Sequence, residues 1–159
     1  MFYTIYQSKF CPIILVGDEK GLKHLHLDTK QGKREFFIDS SWIKKDEFFI
    51  DVVFQLEEYF AGSRTAFDVK LNQDGTDYQK KVWSALQQIP YGELHSYKDV
   101  AIAIGNDKAS RAVGMANSKN PIPLIVPCHR VVGADKKLTG FAHGLEIKAK
   151  LIELEGIKI

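Results

Sequence analysis

The sequence contains only two cysteines, Cys11 and Cys128, among its 159 residues. Two cysteines cannot build the disulfide framework of a small secreted domain, and two alone do not complete a structural zinc site. No apolar run approaches the roughly 20 residues of a membrane-spanning helix, and the first residues do not have the pattern of a signal peptide. We therefore expect neither a membrane protein nor a secreted one, and the reducing cytoplasm is the predicted compartment.

A large charge of either sign is also missing, because 22 Lys and Arg face 20 Asp and Glu, for a net charge of +2. The two halves differ, however. Residues 1–75 carry 10 basic against 12 acidic side chains, and residues 76–159 carry 12 against 8. The hydrophobic fraction of 45% is typical of a globular chain, and the length fits one domain or two small, closely packed ones. The basic second half suggests a polyanion as partner.

The first half has the pattern of strands followed by a helix. Apolar residues predict strands over 2–6, 13–16 and 22–27, with a hairpin turn between the second and the third. Helical spacing predicts a helix over 48–60, and alternation predicts a half-buried strand over 67–71. The polar run at 72–75 is the predicted linker, which divides the chain into an α/β domain of residues 1–73 and a second domain of residues 74–159.

The second domain is predicted to be α-helical. Thr76 and Gln79 form a capping-box pattern at the start of a helix that ends before Pro90. The rest of this domain contains two shorter helical segments, and the region between them is rich in glycine and asparagine.

These two segments have the outline of a helix-turn-helix. Ser96 is placed to cap a helix over 97–104, Gly105 to end it, and Asp107 to cap a second helix over 108–117. A helix-turn-helix presents its second helix to DNA, but many helical proteins share the outline. Two interpretations of the second helix stay open. Its small side chains permit close packing either on this protein's own core or in a DNA groove, where Arg111 would enter the groove.

The most informative stretch surrounds Cys128. Prolines at 121, 123 and 127 exclude a helix and predict a rigid extended segment that ends at the cysteine. A thiol becomes a good nucleophile when a base or a positive charge favours its thiolate, and His129 and Arg130 follow directly. The alternative is that Cys128 is a small buried apolar residue and His129 a hydrogen-bonded core histidine.

The run Pro127-Cys-His-Arg-Val-Val-Gly133 resembles the active-site signature of the O6-alkylguanine-DNA alkyltransferases, also called methylated-DNA–protein-cysteine methyltransferases. The likeness continues, in matching order and spacing, through Gly75-Thr-Asp-Tyr-Gln, Ile89-Pro-Tyr-Gly, Ser96-Tyr97, Arg111-Ala-Val-Gly114, Asn120-Pro and Leu154-Glu155-Gly156. The resemblance implies a ribonuclease-H-like α/β N-terminal domain and an α-helical C-terminal domain with a helix-turn-helix.

The resemblance also implies an activity. Members of the family move an alkyl group from O6 of guanine in DNA, and also from O4 of thymine, irreversibly onto their own cysteine. Cys128 matches that acceptor, His129 the base that takes its proton through a water, and Glu155 the carboxylate that orients the histidine. Asn120 matches the hinge beside the nucleophile, and Tyr97 the residue that helps to swing the nucleotide out and protonates the departing guanine.

The DNA-contacting positions are matched by Tyr97, Lys98, Asn106 and Arg111, with Arg111 filling the place that the flipped base leaves. The resemblance implies double-stranded DNA carrying O6-alkylguanine as the partner, no cofactor and a monomeric protein. The chemistry is consistent with these roles, because O6 is out of reach inside a stacked duplex and the base must leave the stack.

Several residues depart from this pattern or lie outside it. Some relatives hold zinc in the N-terminal domain, but we interpret Cys11, His24 and His26 as strand residues and expect no metal. His143 is predicted to be a surface histidine on the rim of the pocket.

Two rival functions remain open at this stage. One is a non-catalytic binder of damaged DNA, which the presence of Cys128 disfavours. The other is a cysteine hydrolase, which is disfavoured because adjacent side chains on an extended segment diverge, whereas hydrolases take Cys and His from distant parts of the chain.

Overall fold

The chain folds into an N-terminal part built on a sheet and a C-terminal part built of helices, in a computed structural model that describes residues 1–32 and 34–159. The strands are β1 (Phe2–Gln7), β2 (Pro12–Asp18), β3 (Gly21–Leu27), β4 (Ile43–Lys44), β5 (His95–Ser96) and β6 (Val131–Val132). The α-helices are α1 (Ile50–Phe60), α2 (Asp77–Leu86), α3 (Tyr97–Ala103), α4 (Ser110–Ser118) and α5 (Leu145–Leu154). Within the described ranges, no helix is long and apolar enough to span a membrane.

The N-terminal sheet has the strand order β3-β2-β1-β4. The first three strands pair in an antiparallel manner, and the short β4 adds in parallel to β1. This confirms the three predicted strands and the turn between β2 and β3. Gly21 is required at that turn, since its φ is +137° and a Cβ there would lie 2.8 Å from the Lys70 carbonyl oxygen.

Two predictions in this half need correction. The predicted helix over 48–60 is divided into a 3-10 turn, Asp46–Phe49, and the helix α1, which begins at Ile50. The predicted strand over 67–71 is wrong. Among the described residues, that segment joins the sheet only at a single bridge between Leu22 and Leu71. Its alternation therefore reflects half-burial of apolar side chains against the core and not a ladder of hydrogen bonds.

The helix α2 begins as predicted. Thr76 Oγ1 accepts from the Gln79 backbone N–H at 3.1 Å, and Gln79 Oε1 accepts from the Thr76 N–H at 2.9 Å. Val82 and Trp83 are buried, and the indole Nε1–H of Trp83 donates to the Ala116 carbonyl at 2.9 Å. This bond fixes α4 against α2.

Helices α3 and α4 lie next to each other, joined by a tight turn. Ser96 caps α3 with a reciprocal bond to Asp99, and Gly105 follows the helix with a φ of +87°. The predicted cap at Asp107 is wrong. In its place Asn106 Oδ1 accepts from the Lys108 N–H at 3.1 Å, and α4 begins only at Ser110. The Asn106 side chain closes a turn, and that turn delays the start of the helix.

The proline-rich segment is not extended throughout, which corrects the prediction of a rigid extended segment. Leu124 has a φ of +77°, and residues Cys128–Arg130 form a 3-10 turn that leads into β6. Asn120 closes the loop from both ends, since Oδ1 accepts from the Ile122 N–H at 3.0 Å and Nδ2 donates to the Val126 carbonyl at 2.9 Å. The prolines restrict the backbone, and Asn120 determines how it bends. Helix α5 comes after β6 in the chain and was not predicted from the sequence.

Candidate active site

Glu155 is the centre of a buried polar network at the end of α5. His129 Nε2 lies 2.6 Å from its Oε2, and Tyr59 donates its hydroxyl to the same oxygen at 2.6 Å. Arg130 donates Nε–H to Oε1 at 2.8 Å, and the Gly92 backbone N–H donates to Oε1 at 3.0 Å. The side chains of Glu155 and His129 have no exposed surface. Both carboxylate oxygens are therefore fully engaged.

The electrostatics of this network fix the protonation state of its members. Burial alone raises the pKa of Glu155, but hydrogen bonds from His129, Arg130 and Tyr59 outweigh it and hold that pKa well below the usual range. Burial lowers the pKa of His129, although Glu155 acts in the opposite direction. An ionised carboxylate thus faces a neutral imidazole, whose Nε2–H donates to it. The other nitrogen, Nδ1, has no hydrogen-bond partner among the described residues and is a free acceptor.

Cys128 lies in the same 3-10 turn as His129 and is 3% exposed. Burial raises the pKa of its thiol, and a hydrogen bond from Asn120 opposes this rise, together with the charges of Lys148 and Arg34. The thiol is therefore protonated at rest and needs a base before it becomes a nucleophile. The sequence prediction that Arg130 favours the thiolate is wrong, because the Arg130 guanidinium is directed to Glu155 and to the Ile89 carbonyl.

Lys148 is a functional candidate that the sequence reasoning missed. It is fully buried on α5, and its ammonium donates to the carbonyls of Val131 at 2.6 Å and Thr139 at 2.8 Å. Burial lowers its pKa to about 8. A signal was available in the sequence, because Lys148 shares the inward face of an amphipathic helix with Leu151 and Ile152.

The cavity beside Cys128 has a volume of about 10 Å³, which is room for about one water molecule. Arg34 forms part of its wall and donates to the Asn120 carbonyl at 2.6 Å and to the Ser118 carbonyl. A groove of about 590 Å³ lies outside, lined by Arg34, Ser118, Lys119 and residues 140–142 among others. We call it the outer groove. Arg34 and residues 140–142 line both spaces, so they separate the outer groove from the thiol.

His143 is not the surface histidine that the sequence predicted. It is 2% exposed, and its Nδ1–H donates to the Leu27 carbonyl at 3.1 Å. Burial lowers its pKa to about 3, so it is neutral. The residue lines the cavity of Cys128 and links the rim loop to β3 of the N-terminal sheet. A single polar residue in a loop gives no hint of such a contact.

The structure brings together four of the predicted catalytic residues, Cys128, His129, Glu155 and Asn120, and places Tyr97 at the rim. The Tyr97 hydroxyl accepts from Thr139 Oγ1 at 3.2 Å, beside the rim loop.

The predicted DNA contacts Lys98, Asn106 and Arg111 are not among the residues that line the cavity of Cys128. They are exposed on the surface of α3, the turn and α4. Their contact with DNA stays a prediction.

The residues considered as metal ligands in the N-terminal part are not assembled into a site. His24 and His26 lie on β3 as expected, whereas Cys11 lies in the turn before β2 and not in a strand. Across residues 1–32 and 34–159 there is no group of three or more metal-ligating side chains.

Comparison with known proteins covers nearly the whole chain. Residues 1–73 match the family model "6-O-methylguanine DNA methyltransferase, ribonuclease-like domain", and residues 77–157 match "6-O-methylguanine DNA methyltransferase, DNA binding domain". The "Methylated-DNA--protein-cysteine methyltransferase" of Methanosarcina acetivorans is 54% identical over 156 residues, which are 98% of this chain and 99% of that protein. A constitutive protein of the same name from Bacillus subtilis is 41% identical, over 98% of this chain and 96% of its own.

A solved structure is similar to this chain over nearly its whole length as well. The Mycobacterium tuberculosis protein described as "OGT in complex with DNA" superimposes with a TM-score of 0.91 at 44% identity, covering 98% of this chain and 93% of its own. The fold is thus an N-terminal ribonuclease-like domain and a C-terminal DNA-binding domain. The chain belongs to the 6-O-methylguanine DNA methyltransferase family.

Proposed function

We propose that this chain repairs DNA by direct reversal, as a methylated-DNA–protein-cysteine methyltransferase. It transfers the alkyl group of O6-alkylguanine, and also of O4-alkylthymine, from duplex DNA to Sγ of its own Cys128. One observation carries the proposal: a buried thiol shares a 3-10 turn with a neutral histidine whose far side is held by an ionised carboxylate. That arrangement activates a cysteine as a nucleophile.

The first step is removal of the thiol proton. The proton passes from Cys128 Sγ through a water molecule to His129 Nδ1, the ring nitrogen that does not face Glu155. The imidazolium that results is paired at once with the Glu155 carboxylate, which favours the transfer. Lys148 and Arg34 stabilise the thiolate by their positive charge.

The second step is an in-line displacement at the alkyl carbon. The thiolate electron pair forms the S–C bond as the C–O6 bond breaks, and the released pair stays on the guanine. Tyr97 donates a proton to the departing ring, so that guanine leaves as a neutral molecule. The product is a thioether at Cys128, which has no proton to lose and no route back to the thiol. Each molecule therefore acts once.

Access to the thiol requires movement of both partners. A cavity of about 10 Å³ does not hold a guanine, so residues 140–142 and Arg34 must shift when a base enters from the outer groove. The base itself must leave the duplex, at a cost of a few kcal/mol. We assign α3 and α4 as a helix-turn-helix that holds the DNA, with contacts from Tyr97, Lys98 and Asn106 and with Arg111 filling the vacated place.

Three further expectations complete the proposal. The domains are 1–73 and 74–159, since residues 72–76 form no helix or strand between them. The protein acts as a monomer on double-stranded DNA. Its cytoplasmic location stays a prediction from the cysteine content.

The test is intact-mass spectrometry with a tenfold excess of a duplex that carries one O6-methylguanine. We expect one methyl group per chain and no further product after that. Repeated product formation would support the hydrolase alternative, and binding without a mass change would support the damage-binding alternative. An unmodified duplex is the control, and an O4-methylthymine duplex tests the second substrate.

A further inference from the structure

Met115 is the most exposed large apolar side chain of the C-terminal helices in the described chain, with 64% of its surface accessible. It lies on α4, whose opposite face is buried through Val113, Ala116 and Asn117. An exposed methionine adds nothing to that packing. Single exposed apolar residues are common on proteins, so its meaning depends on what surrounds it.

The surroundings form a continuous stripe along the exposed face of α4. Arg111 precedes Met115 by one helical turn, and Lys119 follows by one turn, so all three lie on one side of the helix. With a rise of 1.5 Å per residue, Met115 lies about 6 Å along the axis from Arg111 and about 6 Å from Lys119. Lys119 and Ser118 line the outer groove. Met115 is therefore between Arg111, which is a predicted DNA contact, and the outer groove beside Cys128.

Positively charged side chains lie on both sides of Met115 in this stripe, and they favour contact with a polyanion. Arg111 and Lys119 flank it, and α4 contains no acidic residue. The Tyr97 ring lies against the same helix, since a Cβ on Gly114 would meet two of its ring carbons at 3.8 Å. A partner protein would need acidic groups beside an apolar pocket. A DNA groove offers phosphates and, between its base steps, an apolar space into which Met, Leu and Ile side chains insert.

We infer that Met115 is a second wedge, which inserts beside the base pair that Arg111 disrupts and holds the duplex open toward the outer groove. This inference rests on the proposed function, because it assumes that α4 is the helix that enters DNA. An apolar wedge partly unstacks the neighbouring step and so lowers the cost of moving a base out of the helix. Met115 is a positioning residue and does not contact the reacting atoms.

The experiment compares Met115→Ala and Met115→Leu with the unchanged protein in single-turnover transfer. Two substrates are used, a duplex with one O6-methylguanine and the free base O6-benzylguanine. We expect Met115→Ala to slow transfer from the duplex about tenfold and to leave the free base within twofold, since only the duplex needs opening. Met115→Leu keeps the apolar wedge and should stay within threefold on both substrates. Ile43→Ala is the matched control, because Ile43 is 60% exposed but lies on β4 of the other domain.

A second readout reports the opening itself. With 2-aminopurine next to the lesion, binding of a Cys128→Ser protein should raise the fluorescence, and adding Met115→Ala should remove most of that rise. An unchanged duplex rate in Met115→Ala, or equal losses on both substrates, would overturn the wedge. If the unchanged protein reacts with the free base but with no duplex, the proposed function fails as well, and the two failures are thus distinguishable.

Discussion

The two sides of His129 differ in how completely their polar groups are satisfied. On the Nε2 side, Glu155 accepts from Tyr59, Arg130 and the Gly92 backbone as well as from the histidine. Away from Glu155, the described residues leave His129 Nδ1 without a hydrogen-bond partner, and the same holds for Asn117 Oδ1 and His143 Nε2, whose residues line the Cys128 cavity.

Buried polar atoms are nearly always paired, so the contrast separates two roles. The paired side fixes His129 in position and stabilises the positive charge that it acquires as the base. We propose that the proton and the alkyl group arrive on the unpaired side.

The largest expected effect comes from removing the nucleophile on the unpaired side. Cys128→Ser should bind the methylated duplex with its affinity kept within about twofold but should transfer no detectable methyl, because a serine hydroxyl is barely ionised where a thiol can be. Binding is measured by fluorescence anisotropy and transfer by mass. Cys11→Ser is the matched control and should transfer at the normal rate. Transfer by Cys128→Ser would remove Cys128 from the mechanism.

The next effect comes from removing the centre of the paired side. Glu155→Ala leaves Arg130 buried without its carboxylate, and breaking a buried pair in this way costs about 3–5 kcal/mol. We expect the free energy of unfolding, measured with urea, to fall by that amount. Glu153→Ala removes an exposed carboxylate from the same helix and should change stability by less than about 0.5 kcal/mol. Equal values for the two variants would show that the network does not stabilise the fold.

Alkylation of Cys128 should lower the stability of the folded protein. The cavity at Cys128 has room for about one water molecule, so an added methyl strains the site by roughly 1–3 kcal/mol. A thioether sulfur is also a weaker acceptor than the thiolate for the hydrogen bond from Asn120. The methylated protein should therefore melt about 2–4 °C lower for each kcal/mol lost, and the benzylated protein lower still. Calorimetry on fully modified samples decides this, and equal melting temperatures would show spare room in the pocket.

The last effect concerns pH and isolates His143. Burial lowers its pKa from the ordinary 6.5 to about 3. Between these two pH values His143 is protonated in the unfolded chain and neutral in the folded protein. The contribution of neutral His143 to the free energy of unfolding is fully present above pH 6.5. It is lost as the pH falls toward 3, by about 1.4 kcal/mol per pH unit. His143→Gln should reduce the slope of unfolding free energy between pH 5 and 6.5 by about that amount. A slope that does not change would place His143 in contact with water.

Sequence reasoning reached the residues whose role depends on local motif and missed those that depend on long-range packing. The resemblance identified Cys128, His129 and Glu155 because the signature places them at fixed spacing. Tyr59 reaches Glu155 from 96 positions away in the chain, and nothing local marks that contact. The same holds for Arg34, whose partner Asn120 is 86 positions distant.

The errors in predicted elements have a similar cause. Residues 67–71 alternate as a strand does, but the sheet offers them only one bridge at Leu71. The cap predicted at Asp107 failed because Asn106, one residue earlier, accepts from the Lys108 N–H and forms a turn. In both cases a correct local preference was overridden by a neighbour that the pattern does not include.

We propose that the environment of Cys128, and not the mere presence of a thiol, makes it the alkyl acceptor. Cys11 is the internal comparison. Burial raises the pKa of both thiols, to about 11 for Cys11, but the hydrogen-bonding neighbour of Cys11 is Ser8, which is not a base. Peptide mapping by tandem mass spectrometry after one equivalent of O6-methylguanine duplex tests this directly. We expect the methyl group on Cys128 alone, and a methyl group on Cys11 would contradict this expectation.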